Sequence, residues 1–143
     1  MPAGPGPMGF VYFAAVKAAG YTAASVVLKN GYGLRGSSKP NVWSAGLTRT
    51  GIGIAAGLLY GSLWIFVLSK FVADSYSGVL YYVFLLPIRI GEWSLLIWLF
   101  FDRGLQARAR MWKYVAFGTL CSYILDAIGV GAALVLPGGL WVC

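Results

Sequence analysis

Four long apolar runs, separated by short polar connections, account for most of the chain. They extend from about Gly9 to Leu28, Thr48 to Val72, Gly78 to Phe101 and Trp112 to Leu136. Each is long enough to cross a hydrocarbon core of ~30 Å, which takes ~20 helical residues. None keeps the alternation or the ten-residue length of a barrel strand. Outside a closed barrel, only a helix satisfies its own backbone polar groups in lipid. The pattern therefore predicts an all-α, polytopic integral membrane protein. Residues 1–143 read as one transmembrane domain, a four-transmembrane-helix bundle.

The polar connections orient it. Lys29, Arg35 and Lys39 lie in or beside the first connection, with Arg49 at the next helix entrance. Arg103, Arg108, Arg110 and Lys113 lie in or beside the third. The second holds only Lys70, beside Asp74, and the two ends hold no cation. Cationic loops stay in the cytoplasm, so both basic connections are expected there and both termini outside. Trp43, Trp112, Trp141 and Tyr76 fall near the expected interfaces, as aromatic belts do. The glycine- and proline-rich N-terminus reads as a short extended tail without a signal-peptide pattern. The first connection, rich in Gly, Ser and Pro, reads as irregular. The stretch RGLQARARMWK can extend the last helix and meet anionic lipid headgroups.

Composition agrees with this picture. The chain is 59% hydrophobic and 10% charged, whereas soluble domains carry about a quarter charged residues. The net charge of +7 would suggest nucleic acid in a soluble protein. Here the cations flank apolar runs, and no nucleic-acid partner is expected. There is no histidine, which excludes histidine-ligated haem, the usual histidine metal sites and the commonest general base. Cys121 and Cys143 have no metal-type spacing. Neither a metal nor another cofactor is expected.

Small residues suggest how the helices pack. Gly53, Gly57 and Gly61 recur every four residues on the second helix, and Gly118, Ser122 and Asp126 do so on the fourth. Such stripes allow close backbone approach between membrane helices. Pro87 removes a helical hydrogen bond to Val83 and predicts a kink in the third helix. Gly91 would leave space beside it.

Five ionisable residues fall within or at the edge of the apolar runs: Lys17, Arg49, Arg89, Glu92 and Asp126. An unpaired charge at the bilayer centre costs at least about 2.5–3.5 kcal/mol, so these groups should be compensated. At ~1.5 Å per residue, Lys17 and Asp126 lie at similar depth, roughly 10–12 Å from the outer boundary. They should face each other. Glu92 can take Arg49 or, three residues away on its own helix, Arg89. Three cations then stand against two anions.

That excess, with the kink and with Tyr21 on the Lys17 face, leads to the main functional expectation. The chain reads as a small, oligomeric transporter or channel for an anionic or polar solute, with Arg89, Glu92, Lys17, Asp126, Arg49 and Tyr21 along the path. Two other classes stay open. One is a non-catalytic subunit docking on a partner through its glycine stripe and buried charges. The other is an enzyme acting on an anionic lipid, with Glu92, Asp126 or a tyrosine as acid or base in place of histidine. The first and third runs also open alike, GFVY and GVLY, and each carries a mid-span cation.

Overall fold

A computed structural model of the chain describes residues 7–66, 70–71, 74–104 and 106–135. These form four helices and, among the described residues, no strand: α1 (Pro7–Gly31), α2 (Val42–Phe66), α3 (Asp74–Phe100) and α4 (Arg108–Val135). The expected ends at Val72 and Leu136, together with Trp141, Cys143 and residues 1–6 of the N-terminal tail, lie outside the described residues, as does the side chain of Tyr76, while the tail from Pro7 on is helical rather than extended.

Each helix packs against two others, in the cyclic order α1, α2, α3, α4. The ends are set by local chemistry. Asn41 precedes α2 and its Oδ1 accepts a hydrogen bond from the Trp43 amide at 3.0 Å, the reach of an N-cap. In the α3–α4 connection, Asp102 accepts from the amides of Gln106 and Ala107, each at 3.4 Å. The first connection is built of turns, with Gly33 and Gly36 at φ 73° and 82°, a region that glycine enters without steric cost.

Helix boundaries differ from the sequence expectation where polar residues continue a helix beyond its apolar run. The second helix starts at Val42 rather than Thr48, and the fourth at Arg108 rather than Trp112. Arg108, Arg110 and Lys113 are therefore helical. Of the four expected spans, α1 over Gly9–Gly31 and α3 over Gly78–Phe100 are long and apolar enough to cross a membrane. In α2 the apolar run is diluted by Arg49 and several glycines. Pro87 lies inside α3, which continues unbroken to Phe100.

The interior is layered. At one end Tyr21, Leu28, Trp93, Leu96, Ile97 and Val115 form an apolar cluster. At the other, Tyr60, Trp64 and Leu85 form a second. Tyr60, Trp64, Tyr81 and Phe84 make a ladder of ring contacts with centroids 5.0–6.4 Å apart, and the Tyr60 hydroxyl donates to the Tyr81 carbonyl at 2.7 Å. Charged residues fill the space between the clusters. Large apolar side chains, including Val11, Leu59, Ile65, Val79, Leu120 and Ile124, cover the outside.

On α3, residues 85, 89, 92, 93, 96 and 97 are all buried, whereas 86, 87, 91, 95 and 98 are exposed. One helical face thus carries leucine, arginine, glutamate and tryptophan into the centre. Gly91 falls on the opposite side, at ~100° per residue some 200° round from Arg89. A Cβ there would meet nothing within 4 Å, so Gly91 faces outward and does not adjoin the charges.

Candidate functional site

All five interior charges are buried: Lys17 is 3% exposed, Arg49 0%, Arg89 1%, Glu92 6% and Asp126 2%. They form one alternating string. Lys17 Nζ lies 2.5 Å from Asp126 Oδ1. Asp126 Oδ2 accepts from Arg89 Nη2 at 2.8 Å. Arg89 Nη1 reaches Glu92 Oε2 at 3.3 Å, and the same oxygen accepts from Arg49 Nη2 at 2.6 Å. Every helix contributes: α1 gives Lys17, α2 Arg49, α3 Arg89 and Glu92, and α4 Asp126.

The expected contact between Lys17 and Asp126 is present. Glu92 does not choose between the two arginines but holds both. Arg89 bridges the two carboxylates at the centre of the string. The count stays at three cations and two anions, and a cation stands at each end.

Aromatic rings and a serine surround the string. The Arg49 guanidinium lies 4.6 Å from the Tyr21 ring centroid and 5.1 Å from that of Trp93, at cation–π range. Lys17 lies 4.5 Å from the Phe13 ring. Tyr21 and Trp93 meet edge to face, with centroids 5.8 Å apart. Ser122 Oγ accepts from Trp93 Nε1 at 2.9 Å and from Arg49 Nη2 at 3.3 Å, and donates to the Gly118 carbonyl at 3.1 Å.

Several buried donors in this layer have no partner: Arg49 Nε and Nη1, Arg89 Nε, and the Tyr21 hydroxyl. A buried polar group left unpaired costs more than a net hydrogen bond contributes. The layer is thus rich in donors and poor in acceptors, in the same sense as its charge.

The glycine stripes divide in use. Gly53 adjoins the guanidinium groups, where a Cβ would lie 3.0 Å from Arg49 Nη1 and 3.9 Å from Arg89 Nη1. Gly57 is buried. Gly61 meets open space. Gly118 lies directly against the Trp93 indole, and Gly46 against the backbone of Thr22. Sequence reasoning missed Trp93 as part of the charged layer and Gly46 as a point of close α1–α2 approach. Trp93 was findable, since it follows Glu92 and shares its face with Arg89 and Leu96. Gly46 gave no such signal, being one of several glycines near the helix start.

Among the described residues, no cluster of histidine, cysteine or carboxylate side chains could hold a metal ion. The sequence matches no known family model, no curated protein and no solved structure.

Proposed function

We propose that this chain is a multi-pass membrane protein, with four helices crossing the bilayer and both basic connections in the cytoplasm, and that its charged layer passes a small anionic or polar solute. The observation that carries this reading is the imbalance of the buried layer. Five charges leave one cation in excess, and Arg49 Nε, Arg49 Nη1, Arg89 Nε and the Tyr21 hydroxyl have no acceptor. An anion, or a solute rich in acceptor oxygens, complements both features.

The distribution of polarity supports the membrane part of the reading. Leucine, isoleucine, valine and phenylalanine cover the outside while arginine, lysine and carboxylates fill the centre. Water would favour the reverse. Polar and ionisable residues facing a bundle interior mark pathways in membrane proteins. The apolar clusters on either side of the charged layer act as closed barriers, so passage requires helices to move. Pro87 lies inside α3 and cannot donate to the Val83 carbonyl, which makes it the position at which such a movement would hinge. A homo-oligomer would add the volume that four helices alone lack.

Flux through proteoliposomes tests the proposal. Small organic and inorganic anions are loaded and their efflux compared between wild type, Arg89→Ala and Glu92→Gln, with folding checked by gel filtration. Anion efflux should be lost in folded variants. Equal efflux in all three removes the charged layer from the mechanism.

One observation favours a second reading, a subunit that docks on a partner protein. Gly61 and the exposed Leu58 and Phe66 leave part of the outer face of α2 uncovered. Extraction in mild detergent with a stoichiometric partner would support it, and recovery of this chain alone would count against it.

A further inference from the structure

The outer surface between α3 and α4 carries a groove of about 350 Å³. Leu86 and Ile90 form one wall, and Trp112, Ala116 and Leu120 the other. Its α4 side runs from Trp112 to Tyr123, roughly 16 Å at ~1.5 Å per residue. That is about half the thickness of a ~30 Å hydrocarbon core, the depth of one leaflet.

The end of the groove near Trp112 is strongly basic. Arg108 lies one turn before Trp112 on the same stripe, and Lys113 follows it. Both are exposed and, among the described residues, neither has an ion-pair partner. The acid in the adjoining connection, Asp102, faces the amides of Gln106 and Ala107 instead. The first turn of α4 contains no acid. Cations at a helix N-terminus oppose the macrodipole, so this arrangement is unfavourable for the helix alone and becomes favourable beside an anion.

A second feature points to an occupant. Thr119 is 7% exposed, lines the groove, and its hydroxyl has no partner. Two other helical threonines in this bundle, Thr22 and Thr50, donate to the carbonyl four residues back. Tyr123, the other hydroxyl at the groove, donates to the Tyr82 carbonyl at 2.9 Å. The Thr119 hydroxyl is buried rather than open to the slot, so the surface that the groove presents is apolar and suits an acyl chain.

We infer that the α3–α4 groove holds one anionic glycerophospholipid of the cytoplasmic leaflet, with an acyl chain between Leu86, Ile90, Ala116 and Leu120 and the phosphate at Arg108 and Lys113. This rests on the membrane orientation proposed above but not on transport. A zwitterionic lipid fits the slot equally well and the basic end less well. A second copy of the chain would place equal cations against each other at that end.

The test uses the full chain in phosphatidylcholine vesicles containing a trace of spin-labelled phosphatidylglycerol or spin-labelled phosphatidylcholine. Motionally restricted label should be several-fold greater for the anionic lipid in wild type. Arg108→Gln with Lys113→Gln should erase the difference between the two labels. Ala116→Trp, which fills the slot from an exposed position, should reduce restriction of both. Equal restriction of the two labels in the wild type, or no effect of either set of substitutions, overturns the proposal while leaving the orientation intact. A chain that alkaline carbonate strips from the vesicles overturns the orientation and this proposal together.

Discussion

Arg89 of α3 and Asp126 of α4 meet at 2.8 Å in the centre of the bundle, while Asp126 also holds Lys17 of α1. Asp126 therefore compensates two cations from two different helices. Removing it takes away the carboxylate that Lys17 and Arg89 share and leaves Arg89 with Glu92; removing Lys17 leaves Asp126 with Arg89.

The stability of single variants should follow that asymmetry. Asp126→Asn is expected to destabilise by about 3–5 kcal/mol, the range for breaking a buried pair from one side, and Lys17→Gln by clearly less. The exchange Lys17→Asp with Asp126→Lys should not restore stability, because it sets the introduced lysine beside Arg89. Thermal unfolding in detergent measures all three. Full rescue by the exchange would mean that the Arg89 contact contributes little.

The two kinds of glycine should respond oppositely to alanine. Gly46→Ala drives a methyl group against the Thr22 backbone, 2.8 Å from its Cα and amide nitrogen, and Gly118→Ala drives one into the Trp93 indole. Each should cost about 1–3 kcal/mol, as overpacking does. Gly61→Ala meets open space and should be neutral or slightly stabilising, since alanine is the better helix former. Parallel denaturation curves decide the matter, and equal losses at all three positions would contradict the packing described.

Alkaline pH should act through Tyr32, just beyond α1. Burial, and then the Asp102 carboxylate, raise its pKa above the ordinary 10.0. A group with a raised folded-state pKa holds its proton more tightly when folded. Its contribution to stability is complete below pH 10.0 and is lost as pH rises through the folded value. Tyr32→Phe should match wild type at neutral pH, because the hydroxyl has no partner, and should lose less stability above pH 10.0. Identical alkaline profiles would remove Tyr32 from the response.

The helices and the five interior charges were legible because apolar runs and isolated ionisable residues are one-dimensional signals. Depth along a helix, at a fixed rise per residue, was enough to bring Lys17 to Asp126. The branching at Glu92 and Asp126 was not legible, because it depends on how four helices rotate about their axes. The same rotation turned Gly91 outward and Trp93 inward. Gly61 shared the four-residue spacing of Gly53 and Gly57 but lies beyond the closest helix contacts. The basic stretch before Trp112 was legible as an extension of the last helix, but its first helical residue was not, because Arg108 and Arg110 interrupt the apolar run while the helix continues through them.

Access to the charged layer tests the central proposal most directly. With Cys121 and Cys143 replaced by serine, Gly53→Cys places a thiol beside Arg49 and Arg89. Labelling by a membrane-impermeant, negatively charged thiosulfonate is then followed in oriented vesicles from each side, with labelling after denaturation as the control. The proposal expects labelling from both sides, slowed by the anion that is carried. A thiol that reacts only after denaturation, in a variant as stable as its parent, would contradict it and leave the five charges as a sealed interhelical lock.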